Sequence, residues 1–515
     1  PIYPDGTPAD IGAIYYSQEG NNAPIITSEW LEFAGRGREY EYVATAVDEG
    51  ETNFVFSDLP EWLEEIDPGV VSGVTPEDCD SVTFILTCEN EQENQDITLV
   101  DVIGVDGKPL RWALTGVLPF EDSPYAIVDD VYIPTDSTLT IEAGCDIDNL
   151  TPREDQYKNA HKFLPDGNLK ILGTPDNMVS IHSDYPIGEE APNDYQWQGI
   201  RRNYENSTPV DTLIIRYLDM YGSNNGISLS RFRHSEIVGC NLHDNGNGIT
   251  IRSDYARVDS NTIVGRDYEF ERIIHGSGGI SVNGINASIR RNKIISHNQT
   301  GISCTSDIQE ISYNYIERCG LSRGNPDNGR DGINCQPDSI GGIVHHNLLV
   351  NNGAGISLAS GNGQDSHVKG KIYSNTIIRC WNESAIRLSG MDTAEVYNNL
   401  VYNAPQAVHF SNVDFSAPQS INNNLFFSCD EDFDYYLIPG YGVDTTLNHN
   451  GDQCDSFGNI FIDPELIGFG HDPYGLRQDS PAINAGSGVV DEDADGTISD
   501  IGYRPFGHNN PIPEI

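Results

Sequence analysis

The middle of the chain repeats a short motif, Gly-Ile followed after one residue by another apolar side chain. The copies lie 22 to 31 residues apart and begin at Gly226, Gly248, Gly279, Gly301, Gly332 and Gly355, with Ala385 and Ala407 in the glycine position of two later copies. A unit this short cannot close a hydrophobic core alone, but stacked units bury a continuous apolar column. The repeat therefore predicts a solenoid of β coils over residues 210–430.

A second motif, apolar-x-x-Asn-x-apolar, keeps step with the first. Its asparagines are Asn261, Asn292, Asn314, Asn347, Asn375, Asn399 and Asn424, with Cys240 in the same place of an earlier copy. An asparagine side chain can bond backbone groups in a turn, where the chain often becomes left-handed. We interpret this row as stacked turn residues of the solenoid and not as ligands.

The charge of the chain limits its partners. It has 29 basic and 78 acidic side chains, a formal net charge of -49, and such a chain repels nucleic acid. The 37% of hydrophobic residues still suffice for a core, so the charge indicates an acidic surface and not disorder. Few lysines and 51 glycines suit turn-rich β structure in salty or calcium-rich surroundings, and we expect an extracellular or cell-surface location. No apolar run has the roughly 18–20 residues of a membrane span, so we expect no membrane insertion.

The coils resemble the right-handed parallel β-helix of the pectin-lyase-like superfamily, as found in secreted bacterial and archaeal repeat proteins. Segments on either side of the repeats are similar to the same proteins, namely residues 139–144, 167–174, 197–200, 463–464, 480–486 and 495–502. The resemblance implies an all-β chain in which a solenoid has its opening coils at 107–209, its regular coils at 210–430 and a C-terminal cap with an acidic tail at 431–515. It implies no single activity, because the superfamily includes lyases, hydrolases, epimerases, adhesins and inert scaffolds.

Residues 24–106 follow a different pattern. Apolar and polar residues alternate at 40–44, 82–86 and 96–103, and Gly, Pro and acidic turns separate these stretches. The pattern predicts a small antiparallel β-sandwich. Through Leu59-Pro-Glu-Trp-Leu63 followed by Gly73, it resembles the cadherin-like, immunoglobulin-like modules of bacterial surface proteins, which implies a spacer in front of the solenoid.

One motif occurs at both ends of the chain. Asp5-Gly-Thr-x-x-Asp10-Ile-Gly12 repeats as Asp495-Gly-Thr-x-x-Asp500-Ile-Gly502, so residues 1–23 resemble the C-terminal end of a β-helix. The chain is then one period of a longer array, or its N-terminal strand docks on the end of a neighbouring copy. Both interpretations predict partners that are copies of the chain itself, arranged end to end. A chance duplication of a short acidic turn is the third alternative.

The C-terminal copy of this motif contains a candidate metal site. Asp491, Asp493, Asp495 and Gly496 match the first half of an EF-hand calcium loop, in which alternating carboxylates supply oxygen ligands. The second half does not match, because Gly502 stands where the loop has Glu. We expect a calcium site formed by the three aspartates and Asp500, and no organic cofactor, with a solvated acidic turn as the alternative.

Two long coils carry extra residues, at 265–278 and 319–331, that would flank a short coil. A polysaccharide lyase or epimerase needs a cation beside the uronate carboxylate, a base and an acid. The candidate cations are Arg272, Arg323 and Arg330, and the candidate acids and bases are Tyr268, His275 and His297. No motif of a particular enzyme family occurs at these positions, so loops that mediate contacts or bind surface glycans are the other interpretation.

Four cysteines could form disulfides. Cys304 and Cys335 occupy the same inward position of successive coils, and the coil spacing of about 4.8 Å is within disulfide range. Cys79 and Cys88 have hairpin-like spacing that an oxidising compartment could bridge. The alternative for each is a small apolar side chain in the core.

Together these features favour an extracellular structural or adhesive β-solenoid of a cell surface, sheath or filament that assembles end to end and is stabilised by calcium. The alternative is a lyase or epimerase that acts on acidic polysaccharide in a groove along the solenoid. A strongly negative surface repels a polyuronate, which favours the first hypothesis.

Overall fold

The computed structural model describes residues 23–48, 50–150, 161–183, 197–202, 208–265, 278–320, 330–337, 340–360, 369–391, 393–411, 420–433, 439–468, 470, 472–488, 493 and 496–507. Within these residues the chain is all β, apart from one turn of 3-10 helix at Phe120–Asp122. No helix among them has the length and apolarity needed to cross a membrane. The chain divides into two compact units, Pro1–Leu110 with Glu121–Val128 and Arg111–Phe120 with Asp129–Ile515.

The first unit contains two β-sheets and a short ribbon. The strands of the four-stranded sheet are, in order, Leu31–Gly35, Gln95–Val105, Ser81–Asn90 and Thr52–Ser57; those of the three-stranded sheet are Glu39–Val43, Val70–Val74 and Leu63–Asp67; the ribbon pairs Ile25–Ile26 with Ala46–Val47. Period-two alternation places Phe84 and Leu86 of the larger sheet in one core with Tyr40 and Tyr42 of the smaller sheet. A small β domain is therefore present, while the immunoglobulin-like resemblance stays a prediction.

Two features of the strand pairing in this unit follow, one of direction and one of side-chain space. The strand Leu31–Gly35 runs parallel to Gln95–Val105, so the sheets are not wholly antiparallel as we predicted. Gly73 pairs with Leu63, and a Cβ at Gly73 would lie 1.8 Å from the Trp62 carbonyl oxygen. Only glycine fits there, because the neighbouring backbone occupies the space of a side chain.

The second unit is a three-sided parallel solenoid. We call the side that carries the Gly-Ile motif the Gly-Ile sheet; its strands are Tyr125–Ile133, Phe163–Pro165, Ile200–Arg201, Ile227–Ser230, Ile249–Arg252, Ile280–Val282, Ile302–Cys304, Asp331–Cys335, Ala354–Ala359, Ile386–Ser389, Gln406–Ser411 and Glu431–Phe433. Its isoleucines stack in register, with Ile249, Ile280 and Ile302 paired in turn. These side chains are buried, and the predicted all-β parallel solenoid is confirmed.

The other two sides complete each coil. The charged sheet, named for its outward Arg, Lys and Glu side chains, has the strands Gly116–Leu118, Thr138–Glu142, Asn168–Leu172, Val210–Arg216, Phe232–Val238, Arg257–Asp259, Ser288–Arg290, Glu310–Ser312, Ile340–His345, Lys369–Tyr373, Thr393–Tyr397 and Ser420–Asn422. The covered sheet has the strands Asp146–Asn149, Val179–His182, Leu218–Tyr221, Asn241–Asn245, Thr262–Gly265, Lys293–Ile295, Tyr315–Glu317, Leu348–Asn352, Thr376–Cys380, Leu400–Tyr402 and Leu425–Phe427. Hydrogen bonds join it to the Gly-Ile sheet in one 24-stranded sheet that includes Lys108–Ala113.

The asparagine row lies at the corner between the charged and covered sheets. The asparagines from Asn261 to Asn424 are at most 1% exposed, as predicted for a stacked turn. The left-handed residue is not the asparagine but the residue before it, as in Ser260 with φ 56° and Arg291 with φ 52°. The row continues to Asn459, which the repeat motif did not identify and which accepts a bond from Asn424.

The C-terminal segment packs against the outer face of the covered sheet. Apolar side chains of the last coils, including Leu400 and Leu425, form one buried cluster with Leu476, Ile501 and Tyr503. A short hairpin of Thr446–Leu447 and Gln453–Cys454 lies at the start of this segment. This packing covers the apolar outward row of the covered sheet.

Candidate functional site

A row of outward side chains runs along the Gly-Ile sheet. In each coil it is the residue after the motif isoleucine, because strand side chains alternate between core and solvent. Register pairing follows the order Ser228, Thr250, Ser281, Ser303, Asn334, Ser357, Arg387, His409. The row begins at Arg201, which pairs with Ser228; it is then uncharged and small from Ser228 to Ser357, and ionisable side chains return at Arg387 and His409.

A cleft of about 530 Å³ opens beside this end of the row. Its lining residues are Asn382, Glu383, Ser384, Arg387, Pro405, Gln406, His409, Asp430 and Glu431. Arg387 lies 3.5 Å from the Glu383 carboxylate, and Gln406 donates from Nε2 to Glu431 at 3.0 Å. Three carboxylates against one guanidinium give the cleft an acidic balance.

Asp331 is a buried carboxyl two coils before the cleft, only 3% exposed. Asn334 donates a hydrogen bond from Nδ2 to its Oδ2 at 2.9 Å. Burial raises the pKa of Asp331 to about 7, while Arg387 acts in the opposite direction and Glu383 adds to the rise. A carboxyl with this pKa can donate or accept a proton near neutral pH.

The predicted catalytic residues have different positions. Tyr268, Arg272, His275 and Arg323 lie outside the described residues. Arg330 is half-buried, directly before Asp331. His297 is 2% exposed, and burial lowers its pKa to about 4. Its prediction as a groove acid or base is wrong, because the side chain lies in the solenoid interior and not in a groove.

The repeat pattern distinguishes Asp331, Arg387 and His409, which the sequence motifs did not identify as site residues. Asp331 directly precedes a Gly-Ile motif, at a position where Asn247, Thr300 and Ser384 stand in other copies. Arg387 and His409 follow the first apolar residue of the motif, where most earlier copies have Ser or Thr. In most other copies these repeat positions hold small, uncharged residues. Aligning the coils with one another therefore identifies the ionisable residues as exceptions.

The charged sheet holds most of its basic side chains in ion pairs. Arg216 contacts Glu236 at 2.7 Å and Arg290 contacts Glu310 at 3.2 Å. His345 also contacts Glu310, at 3.3 Å; this hydrogen bond and the charge of Arg290 lower the pKa of Glu310 to about 2. These pairs occupy cations that an acidic polymer would otherwise bind.

The described part of the predicted calcium site has hydrogen bonds of its own. Both oxygens of Asp500 accept backbone N–H groups, from Asn484 at 2.7 Å and from Phe506 at 2.6 Å. The backbone N–H of Asp500 donates to Asp493 at 3.1 Å. Asp491 and Asp495 lie outside the described residues, and the calcium site stays a prediction.

All ten cysteines are free. The expected bridge between Cys79 and Cys88 is wrong, because Cys79 lies before the extended strand Ser81–Asn90 and Cys88 lies seven residues into it. Extended chain of that length spans roughly 24 Å, against an upper limit of about 7 Å between bridged Cα atoms. Cys304 and Cys335 are paired in adjacent coils and fully buried. Burial raises the pKa of Cys335 to about 12, and a bridge between these two stays a prediction.

Comparisons with known proteins concern the fold. Residues 199–370 match the family described as right handed beta helix region, which agrees with the predicted handedness. No curated protein matches the chain. Among solved structures, the GspB Siglec domain is 16% identical over 18% of this chain and 63% of that one, with a TM-score of 0.14.

Two further structures come from Bacteroides fragilis NCTC 9343. One, described as a candidate alpha-galactosidase, is 11% identical over 45% of this chain and 59% of its own, with a TM-score of 0.17. The other, a candidate alpha-galactosidase/melibiase, is 10% identical over 39% and 52%, with a TM-score of 0.16. The chain spans less than two thirds of each of these three structures, and at such TM-scores the likeness carries no functional argument.

Proposed function

We propose that this chain is an extracellular structural or adhesive β-solenoid that binds a glycan in the cleft beside Arg387. The cleft carries the proposal. Its volume of about 530 Å³ lies in the range of roughly 300–1,000 Å³ typical of ligand sites. Carboxylates, two amides, an imidazole and a guanidinium on its wall supply the donors and acceptors that sugar hydroxyls need.

The charge of the cleft selects the glycan. Glu383, Asp430 and Glu431 line it together with Arg387, and the guanidinium lies within ion-pair distance of Glu383. A uronate would meet more negative than positive charge there, whereas a neutral or amino sugar would not. The ligand is therefore a neutral or basic glycan, and a lyase or epimerase acting on polyuronate is less well supported.

The test is calorimetric titration of the purified chain with neutral, amino-sugar and uronate oligosaccharides of equal length. Arg387→Ala and Glu383→Gln should each weaken binding of the neutral or amino sugar by about tenfold or more, since hydrogen bonds to charged groups contribute about 1.5–3 kcal/mol. Lys371→Ala is the matched control, because Lys371 pairs with Glu395 on the charged sheet. Binding of uronate alone, or equal binding by all variants, would refute the proposal.

End-to-end assembly is part of the same proposal. In the C-terminal copy of the repeated motif, Ile501 is buried in the cluster over the covered sheet, and the N–H of Gly502 donates to the Asn398 carbonyl at 2.8 Å. Residues 5–12 have the same sequence pattern and would supply a second docking element to a neighbouring copy.

Sedimentation velocity of the full chain and of a variant lacking residues 1–16 tests assembly. Oligomers that the deletion abolishes support docking, and their loss on adding a chelator supports the proposed role of calcium. A monomer at all concentrations would contradict assembly while leaving glycan binding intact.

A further inference from the structure

Two aspartates and a histidine converge at the beginning of the solenoid. Asp129 and Asp130 lie in the strand Tyr125–Ile133, and His161 lies just before the next strand of the Gly-Ile sheet, Phe163–Pro165. Val131 pairs with Phe163, and the same register continued by two residues places His161 beside Asp129 in the adjacent coil. One ligand atom from each of the three side chains lies within 4.8 Å of the others.

The imidazole of His161 is prepared as a ligand. It donates a hydrogen bond to the Leu150 carbonyl. One ring nitrogen is thus held by the backbone, and the other is the candidate ligand atom. A carbonyl that fixes the tautomer in this way is the usual outer partner of a metal-bound histidine.

Groups outside the cluster orient the two carboxylates. Trp112 donates from Nε1 to Oδ2 of Asp129 at 3.3 Å, and the backbone N–H of Lys162 donates to Oδ1 of Asp130 at 2.9 Å. Asp129 is exposed, while Asp130 and His161 are half-buried, so an ion can enter from solvent.

The cluster stands out against the acidic background of the chain. The chain has 78 acidic side chains, yet among the described residues this is the one group of three or more His, Cys, Asp or Glu side chains whose ligand atoms converge. Ligands at about 2.0–2.2 Å from one zinc ion lie roughly 3.3 Å apart, so a small rotation of the side chains closes the site once an ion offsets the repulsion between the carboxylates.

We propose that Asp129, Asp130 and His161 bind one Zn²⁺ ion, with water in the fourth position. A mixed nitrogen and oxygen ligand set of three side chains suits zinc, whereas calcium takes six to eight oxygen ligands. The ion joins two successive coils, so it fastens the first rungs of the solenoid to each other. This site is separate from the predicted calcium loop and does not depend on the glycan cleft.

Zinc content after dialysis against buffered Zn²⁺, measured by mass spectrometry, tests the proposal. The His161→Gln and Asp130→Asn variants should each bind one zinc ion fewer per chain than the full wild-type chain, or bind that ion at least about tenfold more weakly. Zinc held elsewhere, for example by cysteines, is common to all variants and cancels in the difference. Co²⁺ in place of Zn²⁺ should give a visible absorption band that the two variants lack.

His243→Gln is the matched control. His243 lies 2.9 Å from Asp244 and 3.6 Å from Asp219, but belongs to no converging group among the described residues, so this variant should retain the equivalent. Equal zinc content in wild type, His161→Gln and Asp130→Asn overturns the proposal, and so does displacement of the ion by millimolar Ca²⁺. If His161→Gln fails to fold, Asp130→Asn and the competition with Ca²⁺ still decide.

Discussion

Asn261 donates a hydrogen bond from its Nδ2 to Oδ1 of Asn292, 2.9 Å away in the next coil, and its second Nδ2 hydrogen goes to the Ile237 carbonyl at 3.0 Å. The same arrangement repeats along the ladder to Asn459, where the carboxylate of Asp455 accepts the last Nδ2 bond at 3.0 Å. Each carboxamide is buried and bonded on both sides, so the ladder holds successive coils in one register.

Replacing one amide should therefore weaken more than one coil. Asn314→Ala removes bonds to Asn292, Asn347 and the Ile289 carbonyl and leaves buried partners without a donor or acceptor. We expect the free energy of unfolding to fall by about 3 kcal/mol, since each unsatisfied buried group costs about 1–3 kcal/mol. Urea denaturation measures the loss. Asn422→Ala is the control, because Asn422 is half-buried and donates only to Ser420 among the described contacts; an equal loss would contradict the ladder's role.

The sequence predicted the column and the ladder because both depend on local periodicity. The motif isoleucines and asparagines recur at matching places, and stacking alone brings them together. The left-handed residue before each asparagine was not predictable in the same way, since Ser260, Arg291 and Tyr313 share no side-chain type.

The cleft was harder to predict. Asp331 and Glu383 are far apart in the sequence, and they approach only because the coils between them have particular lengths. The pKa of Asp331 depends on burial, which no motif encodes. Likewise, the spacing of Cys79 and Cys88 suggested a hairpin, but Cys88 lies within one long strand that begins just after Cys79.

Gly502 holds the C-terminal segment against the covered sheet. Its φ is +122°, and an added Cβ would lie 2.9 Å from the Thr376 hydroxyl oxygen, which accepts a bond from the Tyr503 N–H. Gly502→Ala should lower the free energy of unfolding by about 1–3 kcal/mol through this contact and the backbone strain.

Hydrogen exchange over residues 480–507 should localise the effect of Gly502→Ala. Gly507→Ala is the matched control, because Gly507 has φ +80° but nothing within 4 Å of an added Cβ. This variant should show the destabilisation that backbone strain causes, without the close contact with Thr376. Equal effects of the two variants would mean that Thr376 does not restrict the packing.

His297 should make the native state sensitive to acid. The native chain keeps the ring neutral down to about pH 4, whereas the unfolded chain binds a proton near 6.5, so stability falls as the pH drops from 6.5 to 4. His297→Gln should remove up to about 3 kcal/mol of this loss. Thermal unfolding at pH 7 and pH 4 measures it. His234→Gln, at an exposed position, should keep the wild-type profile, and an unchanged profile in His297→Gln would show that the ring is protonated in the native state.

Asp331 should make the stability of the native chain depend on pH in the opposite direction. Its native pKa of about 7 lies above the ordinary 3.8, so between these values the native chain binds more protons than the unfolded chain, and stability falls as the pH rises. Because His297 acts in the other direction, the difference between variant and wild type isolates the effect. Asp331→Asn should gain about 3 kcal/mol of stability relative to wild type as the pH rises from 5 to 8, measured by urea midpoints. Asp479→Asn, at an exposed site, should gain no stability over this range. If the stability difference between Asp331→Asn and wild type did not change with pH, the Asp331 carboxyl would be ionised throughout.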